Sequence, residues 1–342
     1  MKKTAVTIVD IANELRLSKT TVSDALIGSG RVSESTRRRV AEVAGRMGYV
    51  SNRAARHLRG SQTGSIGLYV PKQVRNLAFY MEFAFGAADQ ASLAEYDLTL
   101  FGREPKAHAS FPVDAAIAVD PLPGDPMLER LLAAKFPLVT AGRLLGNDRA
   151  TGTAGTDVPA GVIEIDHRRT TTEILDGLAH IGVRRPAFLA PDSRFGSSFT
   201  VDTIGAYRSW CADRNTEPLT LPLTVTPTDS ELFIAVRTLI GDSGVDGLVC
   251  AAQGLAGRAA VFLPQLGQEL GRSIQLASLV GDPVTELRNP AISSVDLRPR
   301  EFGENAVDFL LEILNGTTPP SPHRRENAEV RLAEGHSHSE LK

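Results

Sequence analysis

Residues 18–24, Ser18-Lys19-Thr20-Thr21-Val22-Ser23-Asp24, concentrate side chains able to read another polar surface. A lysine donates to the acceptor edge of guanine. A threonine offers a hydroxyl and a methyl suited to thymine, and a carboxylate accepts from the cytosine amino group. Helical spacing turns Val22, Ala25 and Leu26 inward and leaves Lys19, Thr20, Ser23 and Asp24 on the open face near the helix start. Unpaired amides and the helix dipole favour phosphate there. The chemistry expected is readout of a DNA major groove by the first turns of this helix. A second set, Asn52, Arg53, Arg56 and Leu58, lies in Asn52-Arg53-Ala54-Ala55-Arg56-His57-Leu58-Arg59. A leucine flanked by arginines suits a wedge into a minor groove, where an apolar side chain partly unstacks a base step. So short a segment does not hold a helix alone in water, so it is expected to order only when packed or bound.

The elements that must position these groups are short helices over residues 7–60, each with its own cap. Thr7 and Asp10 form a Thr-x-x-Asp variant of the capping box, Ser18 opens the second helix and Ser33 the third. Gly48 and Gly60 stand where left-handed closing residues belong. Ile8, Ile11, Ala12 and Leu15, then Val40, Val43, Ala44 and Met47, recur at helical spacing. Only the residues around Leu15-Arg16-Leu17 join the first two helices, the short connection of a helix-turn-helix.

Charge separates this head from the rest. Residues 1–62 hold 12 Lys/Arg and 5 Asp/Glu, a balance of +7, while the remainder holds 25 and 35, a balance of −10. A basic head on an acidic body predicts that only the head approaches a polyanion; a solvated helical scaffold is the competing reading. Cys211 and Cys250 are the only cysteines, with no metal spacing, as suits a reducing cytosol. The amino terminus begins like a secretion signal, but Asp10 and Glu14 interrupt its apolar run. No run of about 18 apolar residues exists, so no membrane span and a cytoplasmic protein are expected.

From Gly64 the pattern changes to short apolar strands alternating with helices. Strands are expected at 65–70, 97–101, 113–119, 137–141, 161–165, 186–190, 219–225, 247–252, 273–280, 291–295 and 328–333. Helices fall between them, including one over 255–270. Such alternation predicts an α/β fold of parallel sheets covered by helices on both faces, in two lobes with a cleft at the strand ends. Catalytic signatures are missing: no Gly-x-Gly-x-x-Gly after the first strand, no phosphate loop and no Gly-x-Ser-x-Gly elbow. His108, His167, His180 and His323 are scattered and read as surface or structural residues. No enzyme and no cofactor are expected. His336 and His338 sit in a tail, 336–342, expected to be disordered.

Thr7–Leu26, then Gly30–Gly60, then Gly64–Val70 together resemble the lactose-repressor (LacI/GalR) family of bacterial transcription regulators, and the likeness runs along nearly the whole chain. The resemblance implies an all-α head (1–51), a hinge helix and linker (52–63) and a periplasmic-binding-protein-like body (64–342). It implies a homodimer that reads a pseudo-palindromic operator in double-stranded DNA and a small-molecule effector, a sugar or related metabolite, in the interlobe cleft. The lobes are expected at 64–162 plus 291–318 and at 163–290 plus 319–335. By the resemblance Lys19, Thr20 and Asp24 read bases and Leu58 is the minor-groove wedge, with Ser18, Thr21, Ser23, Asn52 and Arg53 near phosphates or the groove.

Departures from the family pattern are Arg16 at a turn position commonly glycine, Ser51 for the proline before the hinge, Thr203 for a sugar-binding arginine, and Ala252-Gln253 for an Asn-Asp pair. Losing a bidentate donor and a carboxylate removes charge-assisted bonds to hydroxyls. Asp192, Arg194, Ser198, Asp202, Gln253, Asp282 and Asp296 remain as candidates to line the cleft. The carboxyl terminus carries no leucine heptads, so a dimer is expected and not a tetramer. Of two other classes weighed, a solute-binding module with a vestigial head is disfavoured by the absent signal peptide and the intact caps, and a sugar-metabolising α/β enzyme fused to a DNA-binding head by the lack of any catalytic constellation.

Overall fold

A computed structural model describes residues 6–27, 32–49, 63–102, 111–146, 158–192, 195–242, 244–282, 292–317 and 323–333. The hinge candidates Asn52, Arg53, Arg56 and Leu58, together with Arg194 and the tail 336–342, lie outside the described residues. The chain divides into two units, Met1–Thr63 and Gly64–Lys342.

The first unit holds α1 (Ile8–Leu15), α2 (Lys19–Ile27) and α3 (Glu34–Met47). Thr7 Oγ1 accepts from the Asp10 amide at 3.4 Å while Asp10 Oδ2 accepts from the Thr7 amide at 2.8 Å, so two orphan donors are satisfied reciprocally. Those bonds hold the Asp10 carboxyl below its ordinary pKa. Ser18 Oγ accepts from Thr21 N at 3.0 Å and Ser33 Oγ from Thr36 N at 3.3 Å. Ile11, Ala12, Leu15, Val22, Ala25, Val40, Val43 and Ala44 make one small core. Two expectations fail here. Leu26, expected inside, is 37% exposed, and Ser23, expected on the open face, is buried. Helix α2 packs on both α1 and α3, so its covered arc is wider than one apolar stripe and takes in a small hydroxyl.

The second unit carries two six-stranded sheets. The first is built from β1 (Ser65–Tyr69), β2 (Asp97–Leu100), β3 (Ala115–Val119), β4 (Leu138–Ala141), β5 (Gly161–Ile165) and β11 (His323–Glu326) in the order β11-β5-β4-β3-β1-β2. The second is built from β6 (Pro186–Pro191), β7 (Leu219–Leu223), β8 (Gly247–Cys250), β9 (Gln275–Ser278), β10 (Ser293–Asp296) and β12 (Glu329–Arg331) in the order β12-β10-β9-β8-β6-β7. All pairings are parallel except β10 with β12. Strands β1, β3, β4, β6, β8 and β9 are buried along their whole length, the signature of sheets covered on both faces.

The helices are α4 (Ala78–Leu93), α5 (Pro126–Leu132), α6 (His167–His180), α7 (Ser198–Asp213), α8 (Asp229–Ile240), α9 (Leu255–Phe262) and α10 (Pro299–Leu314). Helix α4 meets α10 closely because both carry glycine at the crossing. A Cβ on Gly86 would stand 2.0 Å from the Arg300 carbonyl oxygen, and one on Gly303 2.1 Å from that of Phe83. The expected helix 255–270 stops at Phe262, and a 3₁₀ turn, Leu263–Leu266, follows. Pro264 lacks an amide and disfavours α geometry in the residue before it.

The lobes interleave differently from the expected division. Strand β10 belongs to the second sheet although 291–318 was expected in the first lobe, and β11 belongs to the first although 319–335 was expected in the second. Strand β5 lies wholly in the first sheet, across the expected boundary at 162. Periodicity identifies a strand but carries no information about which sheet edge it joins.

Candidate DNA-reading surface and interlobe cleft

On α2, Ser18, Lys19 and Thr20 are exposed, Thr21 and Asp24 are half-buried and Ser23 is buried. The Ser18 hydroxyl is occupied as the cap and lies 2.8 Å from Thr21 Oγ1. That leaves Lys19 and Thr20 as the outward side chains of the first turn, beside amides that have no helical acceptor. Val22 and Ala25, at 0% and 5% exposure, pin the opposite side to the core. The turn before α2 works with an arginine where glycine is easiest. Arg16 sits at φ 52°, its amide bonded back to Ala12 and Asn13, and Leu17 N donates to Ala12 O at 3.0 Å. On α3, Arg38 reaches Glu34 at 3.3 Å, an exposed pair of little energetic weight.

In the second unit both sheets place their first strand between the second and third, so β1/β3 and β6/β8 are points where the winding reverses. Ligand sites in open parallel sheets form beyond the carboxyl ends of strands at such points. A cleft of about 720 Å³, its open mouth included, lies there, lined by Asp120 after β3, Pro191 ending β6 and Ala251, Ala252 and Gln253 after β8. Val74, Leu77, Phe79, Tyr80, Gly142, Glu164, His167, Phe195, Ser198, Phe199, Val225, Val280 and Phe302 are also among its walls.

Two of the candidates, Ser198 and Gln253, line this cleft. Ser198 Oγ accepts from Arg143 N at 3.1 Å. Gln253 Oε1 accepts from Phe79 N at 3.0 Å, so its amide joins the two lobes. Asp202 stands beside the cleft in a charged recess with Arg143 and Arg168. Asp192, Asp282 and Asp296 are not among the lining residues. Asp192 turns the chain, its amide donating to Leu223 O at 2.9 Å and its carbonyl accepting from Phe195 N at 2.8 Å. Asp296 accepts from Arg298 N at 2.8 Å and from Arg331 at 2.7 Å.

The sequence did not single out the titratable groups that the cleft itself perturbs. The Tyr80 hydroxyl donates to Asp120 Oδ2 at 2.5 Å. Burial pushes the Asp120 carboxyl up to about 6, with the Tyr80 bond as the smaller, opposing effect. Burial, and then the Asp120 charge, hold the Tyr80 hydroxyl protonated. His167, read as surface or structural, is half-buried in the cleft wall with its ring edge-on to Phe199 at 4.8 Å. Burial lowers its pKa to about 4, so the imidazole is neutral, and its Nδ1 is buried with no hydrogen-bond partner. One signal for Asp120 was present in the sequence, an acid directly after a fully apolar strand, where strand-end chemistry belongs.

Among the described residues no helix is long and apolar enough to cross a membrane, and no group of three or more His, Cys, Asp or Glu is placed to hold a metal.

Residues 7–52 match the bacterial regulatory proteins of the lacI family, and residues 175–338 match the periplasmic binding protein-like domain. The chain is 26% identical to the HTH-type transcriptional regulator RafR of Escherichia coli over 91% of this chain and 93% of that protein. It is 39% identical to catabolite control protein A of Priestia megaterium over 95 residues, 28% of each chain. Among solved structures, the lac repressor dimer bound to operator and the anti-inducer ONPF shares the fold, with a TM-score of 0.77 at 16% identity, covering 97% of this chain and 100% of that one. The transcriptional regulator CelR in complex with cellobiose aligns with a TM-score of 0.66 at 21% identity, covering 96% and 99%. A capped helix-turn-helix head and a doubly wound two-lobed body define a DNA-binding transcriptional regulator. The chain thus pairs a head that matches the lacI family of bacterial regulatory proteins with a body that matches the periplasmic binding protein-like domain.

Proposed function

We propose that this regulator is a cytoplasmic repressor that binds a pseudo-palindromic operator as a homodimer and answers to a small molecule in the interlobe cleft. The observation that carries the reading is the first turn of α2, where Lys19 and Thr20 are exposed beside free amides while Val22 and Ala25 anchor the helix from behind. The +7 balance of residues 1–62 supplies attraction to phosphate. The likeness to an operator-bound repressor dimer and to a cellobiose-bound regulator supports a two-site device. In it, closure of the lobes is coupled to the heads by about 1–3 kcal/mol. Asn52, Arg53, Arg56 and Leu58 are assigned to the minor groove and its phosphates in this reading. Asp24 completes the major-groove set, with Thr21 near the phosphates or the groove.

Selection of bound fragments from random DNA by the full-length chain tests it, followed by gel shifts of the selected site across a range of salt. The expected result is an inverted-repeat site bound far more tightly than random sequence, with Leu58→Ala losing more specific than random binding. Equal affinity for selected and random DNA would sink the proposal.

A further inference from the structure

The polar groups of the cleft are largely occupied by the protein itself. Gln253 uses Oε1 on Phe79 N at 3.0 Å and Nε2 on Gly281 O at 3.5 Å. Ser198 Oγ is held by Arg143 N. Glu164 is engaged by His323 Nε2 at 2.8 Å and Arg143 Nε at 3.5 Å. A sugar carries a hydroxyl on almost every carbon and needs a partner for each one that it buries. In this cleft part of that hydrogen-bonding capacity is already used within the protein.

Asp120 differs from the rest. Its Oδ2 takes the Tyr80 hydroxyl, and its Oδ1 faces the backbone of Gly142, where an added Cβ would stand 3.5 Å away. None of the lysines or arginines of the described residues forms an ion pair with it. The surrounding wall is apolar and aromatic, with Phe79, Phe195, Phe199 and Phe302 among its members. A carboxylate in such walls is complemented by a cation that brings its own hydrogens, and aromatic faces attract the same charge.

We propose that the cleft takes a small aryl- or alkyl-ammonium compound, its ammonium on Asp120 Oδ1 and its apolar body against Phe195 and Phe199. The proposal rests on the reading of this cleft as the effector site. With a pKa near 6, the Asp120 carboxyl is ionised at pH 7.5 and ready for such a partner. His167 Nδ1, buried without a partner, can meet one hydroxyl on the ligand.

Titration calorimetry and thermal shift on the full chain at pH 7.5 decide it, with benzylamine, phenethylamine and tyramine set against benzyl alcohol, 2-phenylethanol, cellobiose and raffinose. The amines are expected to bind at least about tenfold more tightly than the matched alcohols, and the sugars not at all. Asp120→Asn keeps an acceptor for Tyr80 and so keeps the fold, which the unliganded melting temperature checks; it should erase the difference between amine and alcohol. Alcohols binding as tightly as amines, a sugar as the better ligand, or no amine binding would each overturn the proposal. Operator selection measured on the same preparation is a separate readout. Its loss with amine binding intact would overturn the repressor reading and leave the cleft assignment standing.

Discussion

Arg143 Nη2 donates to Asp202 Oδ2 at 2.5 Å, tying the loop after β4 in one lobe to α7 in the other. The Asp202 side chain is 5% exposed and that of Arg143 38%. Arg168 Nε stands 2.9 Å from the second carboxylate oxygen, but that oxygen accepts no hydrogen bond, so Arg168 contributes charge without alignment. Removing Arg143 therefore leaves a buried carboxylate with one poorly aimed partner. Arg143→Met is expected to destabilise the body by roughly 2–3 kcal/mol, toward the low side for a broken buried pair because Arg168 stays. Adding Asp202→Leu should restore the share of the loss that belongs to Asp202, leaving the share from the Arg143 pair with Glu164. Urea unfolding of the single and double variants measures the coupling, and additive losses would refute it.

Asp120 and His167 make opposite contributions to the pH dependence of stability. The Asp120 pKa is raised to about 6 in the folded chain, above its ordinary 3.8, so the folded state favours the proton. Its stabilising share is present below about 4, falls as pH rises through about 6 and is gone above. The His167 pKa is lowered to about 4 from 6.5, so its share is lost as pH falls from about 6.5 through about 4. Asp120→Asn should thus raise the stability at pH 7.5 by roughly 2–3 kcal/mol at most, seen as a higher melting temperature, and the gain should shrink toward pH 4.5. A gain independent of pH would contradict the assignment.

Arg16 closes α1 in the left-handed region at φ 52°. A residue with a Cβ gives up roughly 1 kcal/mol there relative to glycine. Arg16→Gly should stabilise the head by that order, read as slower hydrogen exchange of the α1 amides. Unchanged exchange would show that the turn is unstrained.

Lys19 and Ser23 lie four residues apart on α2 but differ in surroundings, one exposed and the other 5% exposed. Lys19→Ala should relax base preference at one position of the selected site. Ser23→Ala should lower the head's stability by about 1 kcal/mol and leave the salt dependence of DNA binding unchanged. A salt slope shifted by Ser23→Ala would return that residue to the phosphate contacts.

The division between legible and illegible features follows interaction range. Thr7 with Asp10, Ser18 with Thr21 and Ser33 with Thr36 join residues three apart, so type and spacing alone determined each cap and with it the start of each head helix. The fully buried β1 and β3 were equally readable, because a strand covered on both faces must be apolar throughout. Ser23 was misplaced because one helix's periodicity does not count how many neighbours pack on it. The cleft depended wholly on tertiary structure. Tyr80 meets Asp120 across 40 positions, Arg143 meets Asp202 across 59, and Phe79 meets Gln253 across 174. Which acids stay free and which are neutralised depends on those meetings: Asp296 is occupied by Arg331, while Asp120 is left facing an apolar space. Local chemistry along the chain determined the helices and strands; the folding of two sheets against each other decided which carboxylate was drawn into an apolar wall with no ion pair among the described residues.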